Sequence, residues 1–193
     1  KMGFSPSKFG NEKELIDFLN QKAIQYETPE YLNSDPLGLV HQFKEKKDIE
    51  VSGFIIALIA WGNRKSIIKS GEKLMKIWGD SPFEFIQNYE PGLSTHFVHR
   101  TFNSIDFDFF CRSLKNIYAQ GGLESAFALK DSQTKSLSNR IINFRCQFLS
   151  TGHEKRSEKH LSNPSKNSAC KRLVMFLRWM VRDSKNGVDF GLW

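Results

Sequence analysis

Residues 49–60, Ile-Glu-Val-Ser-Gly-Phe-Ile-Ile-Ala-Leu-Ile-Ala, constrain the fold of this chain more than any other stretch. They follow Asp48, a residue suited to capping a helix, and as a helix they are apolar on nearly every side. A helix without a wet face belongs at the centre of a domain, wrapped by other elements. Those other elements read as helices too, because helix-start signals recur and almost nothing alternates with the period of a strand. Asn11-Glu-Lys-Glu14 resembles a capping box opening an amphipathic segment over 11–24, and Ser81-Pro-Phe-Glu84 combines a serine cap, a first-turn proline and a glutamate. Further helices are predicted over 64–78, 106–119, where Gly121-Gly122 stops the chain, and 137–149. The expected fold is all-α, one domain over residues 1–193 with room for two lobes.

The 17 phenylalanines among 193 residues predict an aromatic interior. A net charge of +7 favours a polyanionic partner, because phosphate neutralisation releases counterions. Cys111, Cys146 and Cys170 are odd in number and far apart, which speaks for a reducing compartment and against a disulfide framework. The N-terminus has no apolar signal core, and the most apolar run, residues 53–61, is too short to span a bilayer. The chain is therefore expected to be cytoplasmic and soluble. His96 and His99 stand at i, i+3 without a nearby Cys or carboxylate cluster, so no metal is expected.

Lys166-Asn-Ser-Ala-Cys-Lys-Arg-Leu-Val-Met-Phe-Leu-Arg-Trp-Met-Val-Arg182 reads as a mostly apolar helix with one cationic stripe. Lys171, Arg178 and Arg182 fall at i, i+7 and i+11, nearly one face. Either the stripe looks into something anionic, or it is the wet face of a core helix with snorkelling stems. Residues 59–67 couple the end of the central helix to the start of the next, and Arg64 and Lys65 would reinforce the attraction of its N-terminus for phosphate. Trp61 reads equally as a core plug and Asn63 as a plain N-cap. Lys155, Arg156, Lys159, His160 and Lys166 form a basic run diluted by Glu154 and Glu158, in a polar stretch over 150–168 that is the longest candidate loop.

Taken together, the segments Ile59-Ala-Trp-Gly-Asn-Arg-Lys-Ser-Ile67, Asn163-Pro-Ser-Lys-Asn-Ser-Ala-Cys-Lys-Arg-Leu-Val-Met-Phe-Leu-Arg-Trp-Met-Val-Arg182 and Val188-Asp-Phe-Gly-Leu-Trp193 resemble an uncharacterised bacterial family of unknown function. That family in turn resembles the helix-hairpin-helix superfamily of DNA glycosylases, the 8-oxoguanine enzymes above all. The resemblance implies a helix-hairpin-helix fold, duplex DNA as partner, base-excision chemistry without cofactor, and Lys171 as the nucleophile that attacks the sugar C1′. It implies that Arg172 and Arg178 lower the pKa of that lysine, and that Trp61 to Arg64 carry the residues filling the gap left by an extruded base, with Asn63 the gap-filler. The DNA-contacting set so expected is Trp61, Asn63, Arg64, Lys65, Lys155, Arg156, Lys159, Lys166, Arg172 and Arg178. Two features depart from the superfamily. Pro164-Ser-Lys-Asn-Ser-Ala-Cys170 lacks the hairpin glycines, and the stretch carrying the superfamily's catalytic aspartate would begin where this sequence ends, with no such role assigned to Asp189. The sequence thus reads as C-terminally truncated and is expected to be catalytically dead in this form. The alternatives are a non-catalytic nucleic-acid-binding helical module and a structural, partner-binding protein.

Overall fold

The computed structural model describes residues 10–92, 96–128 and 136–193. The fold is all-α: ten α-helices, with short 3₁₀ turns, make up the regular structure of the described residues. They are α1 (Glu12–Tyr26), α2 (Pro29–Leu32), α3 (Leu37–Val40), α4 (Lys46–Ile59), α5 (Arg64–Trp78), α6 (Pro82–Gln87), α7 (Ser104–Ala119), α8 (Gly122–Phe127), α9 (Leu137–Phe148) and α10 (Lys171–Val181). No helix among the described residues is long and apolar enough to cross a membrane.

α4 is the axis. Every residue from Asp48 to Ile59 is buried, as its all-round apolar sequence demands. Phe54, fully buried, meets the rings of Phe110 at 6.3 Å, Phe144 and Phe148 at 5.5 Å each and Phe176 at 5.4 Å, so α7, α9 and α10 converge on one ring. α10 packs along α4 in the opposite direction. Leu58 near the end of α4 is opposite Arg172 at the start of α10, while Gly53 approaches Phe176 and Met180 further along it. A methyl group built on Gly53 would stand 3.4 Å from the Met180 side chain and 3.6 Å from the Phe176 ring, so α10 packs directly over this position of α4.

Asp48 does not cap α4. The helix starts at Lys46, behind Glu45, and Asp48 lies inside the first turn, where its Oδ1 accepts from the Ser81 hydroxyl at 2.7 Å and the Phe83 N–H at 2.9 Å. The aspartate thereby ties the start of α6 to the centre of the molecule. The start signals at Asn11 and Ser81 act locally as expected, whereas α7 starts two residues before the expected 106, on a cap at Asn103. Asn11 accepts from the Glu14 N–H, Ser81 from the Glu84 N–H, and Asn103 with Asp106 forms a reciprocal capping box at the start of α7. Gly121 and Gly122 stop α7 but also open α8, an element absent from the sequence reading.

Between α9 and α10 the polar stretch is not slack. It holds 3₁₀ turns at Lys155–His160 and Pro164–Lys166, and left-handed backbone at Asn167 (φ 56°) and Cys170 (φ 48°), just before α10 begins. Two non-glycine residues in that region make a sharply reversing turn without the hairpin glycines.

Replacing Phe54 with alanine is expected to cost about 3–5 kcal/mol, because four aromatic neighbours cannot all collapse into the space. Urea unfolding followed by far-ultraviolet circular dichroism measures it. A loss below about 1 kcal/mol would show that the ring cluster is not the organising contact.

Candidate nucleic-acid interface

The four-residue connection from α4 to α5 is built by local chemistry. Gly62 turns the chain at φ 107°, a conformation that favours glycine, and a methyl group there would stand 2.7 Å from the Arg100 guanidinium. Asn63 then caps α5, its Oδ1 accepting from Lys65 N–H at 2.9 Å and Ser66 N–H at 3.4 Å. Asn63, Arg64 and Lys65 are exposed. Arg64 leans back onto α2, donating to the Tyr31 hydroxyl at 2.7 Å and lying 3.8 Å from Asp35.

Trp61 is half-buried with two arginines over its ring, Arg100 at 4.5 Å and Arg172 at 5.9 Å. Cations in such positions contribute about 0.5–2 kcal/mol each, the larger figure when desolvated. Its carbonyl oxygen lies 3.3 Å from Nε2 of buried His99, whose Nδ1 is 2.9 Å from the Ser70 hydroxyl. Arg172 also donates to the backbone carbonyl of Leu58, one of the carbonyls left open at the end of α4. One side chain from the first turn of α10 therefore holds the end of α4 and the tryptophan that follows it.

Lys171 is the first residue of α10 and is exposed. No side chain caps the helix start, where Cys170 stands in left-handed conformation. The first N–H groups of α10 therefore present partial positive charge beside the lysine.

The cationic stripe of α10 divides. Arg178 donates to Asp189 Oδ1 through Nη2 at 3.0 Å and Nε at 3.2 Å, and Arg182 lies 3.7 Å from the other Asp189 oxygen and 2.5 Å from Glu27. The anion that this part of the stripe faces is the protein's own, a buried aspartate on the segment that follows the helix. Arg182 holds the Glu27 carboxyl below its ordinary pKa. Arg178 is thus committed to a carboxylate, and of the two arginines expected beside Lys171 only Arg172 binds a neutral carbonyl instead.

The basic run divides in the same way. Arg156 faces inward, with Nη1 on Asn103 Oδ1 at 3.0 Å and Asp106 Oδ2 at 3.1 Å, and Nη2 on the Thr101 carbonyl at 3.0 Å. Fully buried Asp106 also accepts from the Ser157 hydroxyl at 2.6 Å and lies 3.3 Å from His160 Nε2, out of line for a hydrogen bond. Lys155, Lys159 and Lys166 remain exposed on the two 3₁₀ turns. Two arginines escaped the sequence reading. Arg100 comes from a loop with no periodic signal, whereas Arg145 sits in the row Ile141, Phe144, Arg145, Phe148, all four buried. A cation at i+4 of an apolar i, i+3, i+4, i+7 stripe was the available sign. Among the described residues no group of three or more His, Cys, Asp or Glu could hold a metal ion.

Burial pulls the pKa of both His99 and His160 below the ordinary value of 6.5, against smaller raising effects from the Trp61 carbonyl and Asp106 respectively. The unfolded chain then binds protons that the folded one refuses, so stability is complete above about pH 6.5 and falls as the solution is acidified below it. Urea midpoints between pH 7.5 and 5 are expected to decline with an uptake of up to two protons, and less in His99→Gln. A flat profile across that window would contradict neutral, buried imidazoles.

A family model described as "Protein of unknown function (DUF2400)" matches residues 35–193. No curated protein and no solved structure matches the chain.

Proposed function

The chain belongs to the DUF2400 family of proteins of unknown function, and on that premise we propose that it is a DNA-binding protein of base-excision-repair type with Lys171 as its nucleophile. The observation that carries this reading is the placement of Lys171. It is the exposed first residue of an uncapped helix, next to an arginine anchored at the α4–α5 connection. Phosphates of a duplex would be drawn to Lys65, Lys155, Lys159 and Lys166, while Trp61, Asn63 and Arg64 would approach the space that an extruded nucleotide leaves. The roles of Lys171 and of Trp61 to Arg64 are those that the resemblance to helix-hairpin-helix glycosylases implies; the lysines are added on charge and exposure.

In the proposed chemistry, the lone pair of Lys171 Nζ attacks C1′ as the C1′–N bond breaks. The base leaves with that electron pair and takes up a proton. One Nζ proton then passes to O4′ as the sugar C1′–O4′ bond opens, giving a protonated Schiff base, which borohydride reduces to a stable amine. Asp189 is a buried carboxylate close to α10, and its two oxygens face Arg178 and Arg182. That engagement favours a second reading, in which the scaffold binds nucleic acid without excising a base.

Duplexes containing 8-oxoguanine, uracil or an alkylated purine, incubated with borohydride and a C-terminally extended form of the chain, since the form ending at Trp193 is expected to bind without turnover, separate the two. The base-excision reading expects a covalent complex that Lys171→Gln abolishes, with duplex affinity changed less than about tenfold, since one phosphate contact is the most that the substitution removes. Salt-dependent binding by both proteins with no trapped complex would support the non-catalytic module. Absence of duplex binding would overturn both.

A further inference from the structure

Arg145 is 8% exposed, and its Nε is shielded from solvent without a hydrogen-bond acceptor among the described residues. A buried donor of this kind costs about 1–3 kcal/mol unless something supplies an acceptor. The residue lines a cavity of about 390 Å³ between α9 and the two 3₁₀ turns. Lys155, Lys159 and Lys166 line the same cavity, together with Asn163, Ser162 and Ser168. One carboxylate, Glu158, accepts from Arg145 Nη2 at 3.3 Å and lies 3.8 Å from His153 Nε2. Four cations face one anion, so the cavity keeps an excess positive charge even with the Arg145–Glu158 pair intact.

We propose that this cavity binds a single phosphate group, with Arg145 as the buried anchor and the three lysines as its rim. A guanidinium supplies donors in a fixed fork, the lysines supply charge, and the serine hydroxyls and the Asn163 side chain add neutral donors for the remaining oxygens. A carboxylate ligand would satisfy fewer of these groups than a tetrahedral oxyanion. The cavity wall runs through Ser168, three residues before Lys171, so a phosphate held here lies beside the turn that delivers the lysine. On the nucleic-acid reading, on which this assignment rests, the phosphate belongs to a strand backbone and fixes the register of the duplex against α10.

Free phosphate and a strand are separated by two measurements on the same variants. Inorganic phosphate is expected to raise the melting temperature of the protein above that in chloride of equal ionic strength. Lys159→Ala/Lys166→Ala, both at exposed positions, is expected to lose most of that rise. Arg145→Lys, which keeps the charge and loses the fork, is expected to weaken phosphate binding about tenfold. In duplex titrations by fluorescence anisotropy, the double variant should flatten the slope of log affinity against log salt by about one, the value for one phosphate contact. Equal melting temperatures in phosphate and chloride, or an undiminished rise in the double variant, would overturn the site. A phosphate response with an unchanged duplex slope would overturn its assignment to a strand and leave a site for free phosphate. A normal phosphate response and slope with no borohydride trapping would count against base excision alone.

Discussion

The antiparallel contact between α4 and α10 is the constraint on which the other placements depend. It is made of three things in sequence along the pair: the open backbone at Gly53, the ring contact of Phe54 with Phe176, and the Arg172 guanidinium on the Leu58 carbonyl. The first two lie in the buried face between the helices. The third fixes their register at one end. Because that end is also where α4 turns into α5, the same arginine reaches Trp61, and the beginning of α10 comes to rest beside the connection that carries Asn63, Arg64 and Lys65. At the other end the chain after α10 folds back. The Phe190 and Trp193 N–H groups bond carbonyls of Trp179 and Met180, and the Trp193 indole donates to buried Glu50 of α4 at 2.6 Å.

A positive chain has to divide its cations between internal work and external work, and around α10 and the stretch before it the division follows side-chain type, although elsewhere Lys46 and Lys115 bind a carboxylate and a carbonyl of the protein. Arginines bind carbonyls and carboxylates of the protein: Arg156 at the capping box of α7, Arg178 and Arg182 at Asp189, Arg172 at the end of α4. A planar fork that is weakly hydrated suits such half-buried positions. Lys65, Lys155, Lys159, Lys166 and Lys171 stay exposed around the two 3₁₀ turns and the helix starts. The net charge therefore overstates what the arginines offer to a polyanion and understates how concentrated the lysines are. Arg145 belongs to the first group by burial and to the second by the cavity it lines.

The fold class was legible because it rests on local patterns. α5 spans Arg64–Trp78 as the spacing indicates, and Asn63 and Ser81 bond the N–H groups that such caps bond in any protein. The residues around the site were legible as types but not as partners. Nothing in the residues next to Asp48 distinguishes a cap of α4 from an acceptor for Ser81 and Phe83, because the choice is made by where α6 packs. The stripe of α10 has the same difficulty. Helical spacing places Arg178 and Arg182 on one face, and only the return of the chain at Asp189 decides that this face is already neutralised. The 150–168 stretch read as loop because 3₁₀ turns have no apolar period to reveal them.

The start of α10 and the α4–α5 connection form one unit, held by Arg172. Hydrogen–deuterium exchange on Arg172→Gln tests it most directly, since the substitution removes the guanidinium without touching Trp61, Asn63 or Lys171. Exchange is predicted to accelerate together in peptides covering 58–68 and 170–176, with the Phe54 region unchanged. Acceleration confined to 170–176 would show that the two segments are held independently, and would contradict the account.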